Sequence, residues 1–160
     1  MKLYWVLPLF VLAACQPNLE IEISSDAESE AESSEEEMEY MPSTSAEDAV
    51  VYLIMPEDGA VIPAGELKVK FGLSGMGVAP AGVKFPNSGH HHLLVNAAEM
   101  PPMDMPIPTD SAHLHFGLGQ TETTLELSPG NYTLQLVLGD HSHIPHDPPV
   151  VSKPVTITVE

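Results

Sequence analysis

The sequence predicts an all-β protein whose folded part, residues 49–160, is a single immunoglobulin-like β-sandwich of about seven or eight strands. Three observations predict this fold class. Several segments alternate apolar and polar residues with the period of two that half-buried strands require. Turn sequences containing proline or glycine separate these segments. No convincing amphipathic helix pattern is found among them.

The strands are predicted in order along the domain. The clearest is the second, in which Leu67, Val69 and Phe71 alternate with lysines. Tyr132 begins a later strand directly after a Pro-Gly turn, which is the position of the tyrosine corner in immunoglobulin-like sandwiches; an ordinary core tyrosine is the alternative. The predicted strands are Val50–Met55, Glu66–Leu73, Val83–Phe85, His91–Asn96, His113–Phe116, Thr121–Leu127, Tyr132–Leu138 and Pro154–Val159.

The first 14 residues have the pattern of a bacterial lipoprotein signal peptide. Lys2 precedes a short apolar run, which is interrupted by Pro8 and is shorter than the roughly 20 residues of a transmembrane helix. The run ends Leu-Ala-Ala-Cys, which resembles a lipobox, so we expect Cys15 to be lipidated and to anchor the chain in the bilayer of the cell envelope. Gln16 implies sorting to the outer membrane of a Gram-negative bacterium. An ordinary signal peptide with a chance cysteine is the alternative.

Residues 15–48 are predicted to be the lipidated cysteine and a disordered acidic linker. Residues 16–48 contain 12 acidic side chains and no basic one, so this segment lacks the apolar area needed to offset its chain entropy. We expect a solubilising spacer of about 30 Å or more, with a cation-collecting tail as the alternative. The whole chain has a net charge of −18 and no arginine, which argues against nucleic acid as a partner.

All eight histidines lie in the predicted domain, in three clusters. In the second cluster His113 and His115 are two residues apart on one strand, so they share a face. In the first we expect His90 and His92 to point outward and His91 to point into the core. If these two strands are neighbours, four imidazoles can converge. The predicted metal ligands are His90, His92, His113, His115, His141, His143 and His146, with His91, Met100, Met103, Met105, Asp140 and Asp147 as further ligands or as groups that orient them.

These residue types indicate a metal site, with copper first and zinc second. Imidazole suits both metals, copper leads the divalent affinity series, and thioether selects Cu(I). Cys15 is the only cysteine and is assigned to lipid, so a thiolate zinc site is excluded. Two alternatives stay open: the histidines can form a loop-stabilising or pH-sensing hydrogen-bond network, and the methionines can be packing residues in a proline-rich loop.

Four phrases of the sequence are similar to one bacterial family. They run over Phe71–Gly82, Asn87–Leu94, His113–Leu127 with a short gap, and Leu138–Pro149. Across Val69–Pro149 the chain therefore resembles the family known as domain of unknown function 4399. The resemblance implies a small exported protein, and it carries over no catalytic residues.

A metal-dependent enzyme is the least favoured alternative. The His-x-His strand resembles that of Cu/Zn superoxide dismutases, yet the chain lacks their disulfide and any arginine to guide an anionic substrate. No Gly-x-Ser-x-Gly elbow is found. The prediction is a metal-binding lipoprotein of the periplasm that buffers copper or delivers it to a periplasmic protein partner. The alternative is a non-catalytic interaction or structural module.

Overall fold

The computed structural model describes residues 41–160, and within them the chain forms nine β-strands and no helix. The predicted signal peptide, Cys15 and residues 16–40 of the acidic segment lie outside the described residues. Nothing in residues 41–160 has the length and apolar character of a membrane-crossing helix. The strands are β1 (Val50–Met55), β2 (Ala60–Ile62), β3 (Gly65–Ser74), β4 (Gly77–Val78), β5 (Ser88–Val95), β6 (His113–His115), β7 (Glu122–Leu127), β8 (Gly130–Gly139) and β9 (Val155–Val159).

Two sheets pack face to face. The smaller has the order β1-β3-β7 and is antiparallel throughout. The larger has the order β2-β9-β8-β5-β4, and β6 pairs with β5 beside β4. Between the sheets lies one apolar core, to which β3 contributes Val69 and Phe71 and β8 contributes Leu134, Leu136 and Leu138. The predicted immunoglobulin-like β-sandwich is therefore confirmed.

The alternating segments form strands close to their predicted bounds, whereas the weakly patterned ones do not. The prediction of a strand at Val83–Phe85 is wrong, because this segment is a loop whose Val83 and Phe85 side chains are exposed. The sequence analysis also missed β2 and β4. Both have only two or three residues, too few to show a period of two.

The predicted tyrosine corner is present. The Tyr132 hydroxyl donates a hydrogen bond to the carbonyl oxygen of Ser128, four residues upstream, at 2.9 Å, and its ring packs against the main core. This is the arrangement that defines the motif in immunoglobulin-like sandwiches. It fixes the turn that leads into β8, the central strand of the larger sheet.

The outer face of the larger sheet is covered by chain rather than open to solvent. Leu94 of β5 and Val137 of β8 point to this face and pack against Ile107, which comes from the segment between β5 and β6. The Ile107 amide donates to the carbonyl oxygen of His143 at 2.9 Å, which links that segment to the turn after β8. A second, smaller buried layer therefore lies outside the sandwich.

Contacts with the sandwich begin before residue 49, the predicted start of the domain. The backbone amide of Ser45 donates to the carbonyl oxygen of Asp147, and the Asp147 amide donates to that of Ser43. The Ser45 hydroxyl donates to the carbonyl oxygen of Pro148 at 2.8 Å. Residues 43–45 therefore run as a short strap beside the loop that carries the third histidine cluster.

Candidate metal centre

The histidine triplet of β5 is divided between the two faces of the larger sheet. His91 pairs with Leu138 and points to the main core, where its ring lies 5.2 Å from that of Phe71. His90 and His92 point to the outer face, so the predicted division of faces is correct. The prediction that they point outward into solvent is wrong. Both are fully buried, because the covering segments described above close over this face.

Strand pairing and one turn bring four imidazoles together on the outer face. β6 pairs with β5 so that His115 lies opposite His92, and the turn after β8 adds His143. The six distances between the ring centroids of His90, His92, His115 and His143 range from 4.8 to 6.1 Å. The predicted convergence of four imidazoles is therefore found, with His143 in the place expected for His113.

Three of these rings have the spacing of ligands to one ion. One ring nitrogen each from His90, His92 and His115 lies within 4.8 Å of the other two, and the Nε2 atoms of His90 and His92 are 3.1 Å apart. Two nitrogens bound to one tetrahedral zinc at about 2.0–2.1 Å stand about 3.3 Å apart. The described residues therefore include a histidine triad that could hold a metal ion with small side-chain movements.

Two glycines make room for the rings. A Cβ on Gly139 would stand 2.9 Å from Nε2 of His92, and a Cβ on Gly117 would overlap the ring of His115. Both glycines lie next to the cluster in the chain or in the sheet, since Gly139 pairs with His90 and Gly117 follows His115 by two residues. The sequence therefore leaves space at the two points where the imidazoles need it.

The turn at residues 140–144 places the fourth ring. The His143 amide donates to the carbonyl oxygen of Asp140 at 2.9 Å, and the Asp140 amide donates to that of Ile144 at 2.8 Å. His143 has a φ of 68°, the left-handed position that three-residue hairpin loops usually give to glycine. A histidine at a strained position of this kind is uncommon, and such strain concentrates at functional sites.

The buried carboxylate of Asp140 organises this turn. Its Oδ1 accepts hydrogen bonds from the amides of Ser142 and Ile144, at 2.8 and 3.1 Å. Its Oδ2 accepts from the amide and the hydroxyl of Ser43, at 3.2 and 2.7 Å. Burial alone would raise the pKa of Asp140, but these hydrogen bonds outweigh it and hold the pKa below its ordinary value. The group is therefore a buried negative charge at neutral pH.

The three imidazoles of the triad are neutral at neutral pH, because each has a lowered pKa. Burial, reinforced by the neighbouring rings, lowers the pKa of His90 to about 4 and that of His92 to about 2, from an ordinary 6.5. Burial and then the charge of His143 lower the pKa of His115. A neutral imidazole has a lone pair to donate, which is the state that a metal ligand requires.

The cluster also contains buried polar atoms without partners. Nδ1 of His90, Nδ1 of His92 and Nε2 of His115 make no hydrogen bond. Buried polar atoms in proteins nearly always have a partner, and those without one need an explanation such as an ion. The residues present fit a transition-metal ion bound by nitrogen.

A comparison with known protein families assigns the chain to one of them. A family model described as domain of unknown function (DUF4399) matches residues 69–160, more than half of the sequence. This chain belongs to the DUF4399 family. Among curated proteins, none matches its sequence.

One solved structure similar to the DUF4399 chain contains the fibronectin(III)-like modules of Clostridium thermocellum CbhA, at 14% sequence identity and a TM-score of 0.32. The similarity covers 69% of the present chain and 93% of the other.

The other predicted histidine ligands of the DUF4399 domain have different surroundings. His113 is held away from the triad by Asp110, with Nδ1 and Oδ1 2.9 Å apart. The two ring nitrogens of His146 face the carbonyl oxygens of Leu138 and Ser88, at 3.3 and 3.2 Å, so this ring ties the last loop to the sheet. His141 lines a surface groove of about 570 Å³ and is 3.7 Å from Oδ2 of Asp140.

The predicted methionine and aspartate groups are also apart from the triad. Met100 is exposed and lines a small surface pocket with Thr133 and Gln135. Met103 is half-buried and Met105 is exposed in the same segment. The Asp147 side chain is exposed as well, and its backbone, not its carboxylate, contacts the strap.

Three contributors to the site were not predicted from the sequence. Gly117 and Gly139 lie inside the family phrases, so their position beside histidines was the available signal. Ser43 had no signal, because it lies in the acidic segment that was assigned to a spacer. Its contact with Asp140 joins residues 97 positions apart, and no local pattern reports such a contact.

Proposed function

We propose that this DUF4399 protein is a metal-binding module of the cell envelope, and that it binds one copper ion through His90, His92 and His115. One observation carries the proposal: three neutral imidazoles, two of them buried and that of His115 half-buried, face one another with one ring nitrogen each within 4.8 Å of the other two. His143 is positioned to act as a fourth ligand or to close the site.

The donor set supports copper ahead of zinc. The triad offers only imidazole nitrogen, and copper leads the divalent series at such sites. Sequence-based support from thioethers is weaker than expected, since Met100 faces a different pocket. The expected roles are buffering, storage or delivery to a partner in the periplasm.

The test is the metal content of the full chain, purified in detergent after expression with ample copper and zinc. We expect about one equivalent of copper in the unmodified protein and in His113→Ala, and loss of stoichiometric metal in His115→Ala. The two variants make the same change on one strand, and only His115 belongs to the triad. Mass spectrometry of the metal gives both the stoichiometry and the element.

Two results would contradict this assignment. Equal metal content in both variants would exclude the triad as the site. An empty unmodified protein would favour the second candidate, a hydrogen-bond network that holds the loops. One contact favours that candidate. The Nε2 atoms of His90 and His92 are 3.1 Å apart, a distance that a hydrogen bond between the two rings also explains. Against it, a network would satisfy the ring nitrogens that lack partners here.

The proposed location rests on residues 1–15 alone. With lipid on Cys15, the chain should sediment with envelope membranes and dissolve in detergent. Cys15→Ser removes the sulfur that would carry the lipid, so this variant should lose the incorporation of labelled fatty acid that the unmodified chain shows when cells are grown with it. Equal label in both proteins, or none in the unmodified chain, would contradict lipid anchoring at Cys15 without affecting the metal site.

A further inference from the structure

The triad is an unusual place for a divalent ion because little negative charge surrounds it. Asp140 is the only buried acidic side chain in residues 41–160. Metal-bound histidines usually donate their second ring nitrogen to a carboxylate, a carbonyl or water. In residues 41–160, none of the rings of His90, His92 and His115 has a carboxylate hydrogen bond. The site therefore offers one negative charge in total, and it lies outside the ligand set.

In residues 41–160, no lysine forms an ion pair with that one charge. Among the described residues, the ion-pair partner of Asp140 is His141, with Nδ1 and Oδ2 3.7 Å apart. The lysine ion pair of this part of the chain joins Lys68 to Glu122 instead. Asp140 directly follows Gly139, which pairs with His90. Burial lowers the pKa of His90, and the negative charge of Asp140 acts in the opposite direction.

The free energy of burying an ion rises with the square of its charge. A monovalent ion in the triad would form a neutral set with Asp140. A divalent ion would leave a net positive charge among rings that are fully or mostly buried. Cysteine thiolate, which neutralises divalent ions at other closed sites, is absent from residues 41–160.

We infer that the ion held by His90, His92 and His115 is monovalent and soft, namely cuprous copper, and that Asp140 supplies its balancing charge. This inference rests on the proposed function and adds the charge of the ion to it. It gives the buried carboxylate a second role besides organising the turn at residues 140–144.

Silver(I) and zinc(II) are the probes, since both are closed-shell ions without redox chemistry and they differ in charge. Each is titrated into the full chain in detergent by competition with a chelator of known affinity, and Cu(I) is measured in the same way under ascorbate. We expect silver(I) and Cu(I) to bind more tightly than zinc(II) by about 100-fold or more. Zinc(II) binding as tightly as silver(I) would overturn the inference and leave the proposed function standing. Failure of all three ions to bind would overturn both.

Asp140→Asn tests the balancing charge, and Asp147→Asn is its matched control. Both remove one negative charge from the same loop, but Asp147 is exposed and outside the triad. We expect silver(I) affinity to fall about 10-fold or more in Asp140→Asn and to change less than about 2-fold in Asp147→Asn. Equal affinities in the two variants would exclude Asp140 as the counter-charge. If Asp140→Asn does not fold, the ratio of silver(I) to zinc(II) affinity in the unmodified chain decides by itself.

Discussion

The two faces of β5 give adjacent histidines opposite surroundings. On the inner face, His91 lies alone among apolar side chains such as Phe71, and neither of its ring nitrogens has a hydrogen bond of good geometry. On the outer face, His90 and His92 lie among other imidazoles, beneath a cover that does not belong to the sandwich. Burial is complete on both faces, so burial alone does not distinguish a core residue from a ligand.

The difference lies in the neighbours. The inner face packs against apolar side chains of the smaller sheet, so no second imidazole lies beside His91 to share an ion with it. Burying its polar ring nitrogens without partners costs free energy. The outer face is closed by loops, which bring polar groups from distant parts of the chain. A buried histidine is therefore a candidate ligand when other imidazoles surround it, as those of His90 and His115 surround His92.

The comparison of the two faces of β5 can be tested in acid. The largest expected effect is that the metal-free protein loses stability as the pH falls. His90 and His91 have pKa values of about 4 and His92 about 2, against 6.5 in the unfolded chain. The unfolded chain therefore takes up protons first as the pH falls. Stability is complete above about pH 6.5 and decreases from there towards pH 4, with each histidine adding about 1.4 kcal/mol per pH unit to the slope.

His91→Leu separates the two faces in the same experiment. Chemical denaturation at several pH values should show that the free energy of unfolding depends less steeply on pH, by the contribution of one proton. At pH 7 the free energy of unfolding should be no lower than that of the unmodified chain, because an unpaired buried ring is removed. Metal content should be unchanged. Loss of metal in His91→Leu would mean that the two faces of β5 are not independent.

A smaller effect is expected at the strap, which supports the outer face only. Ser43→Ala removes the 2.7 Å hydrogen bond from the hydroxyl to the buried Asp140 carboxylate and should lower the free energy of unfolding by about 1–2 kcal/mol. Ser45→Ala is the control, because its hydroxyl donates to a carbonyl at an exposed position. Thermal unfolding of both variants measures the difference. An effect of Ser45→Ala equal to that of Ser43→Ala would argue against the importance of the buried carboxylate.

The inner face was largely predictable from the sequence. Leu67, Val69 and Phe71 alternate with polar residues, and so do Leu134 and Leu136, because each strand has one face in the core. The period of two also placed His91 inward and His92 on the opposite side. Short edge strands such as β4 were not predictable, since two residues are too few to show an alternation of apolar and polar side chains.

The outer face was predictable only in part. The pairing of His115 with His92 follows from the neighbouring strands, which the sequence analysis considered as a possibility. The replacement of His113 by His143 was not predictable, because it depends on the Asp110 contact and on the turn after β8. His90 is fully buried beside the rings of His115 and His143, which come from distant parts of the chain, and no local pattern encodes such contacts.

The cover over the triad has a consequence for the rate at which ions exchange. In the proposed function an ion reaches the buried His90 and His92 only when the segments over the outer face move, and the hydrogen bond from Ile107 to His143 links two of these segments. Local opening of loops has its own timescale, set by the contacts that break. At high ion concentration the rate of loading therefore reaches a plateau equal to the opening rate.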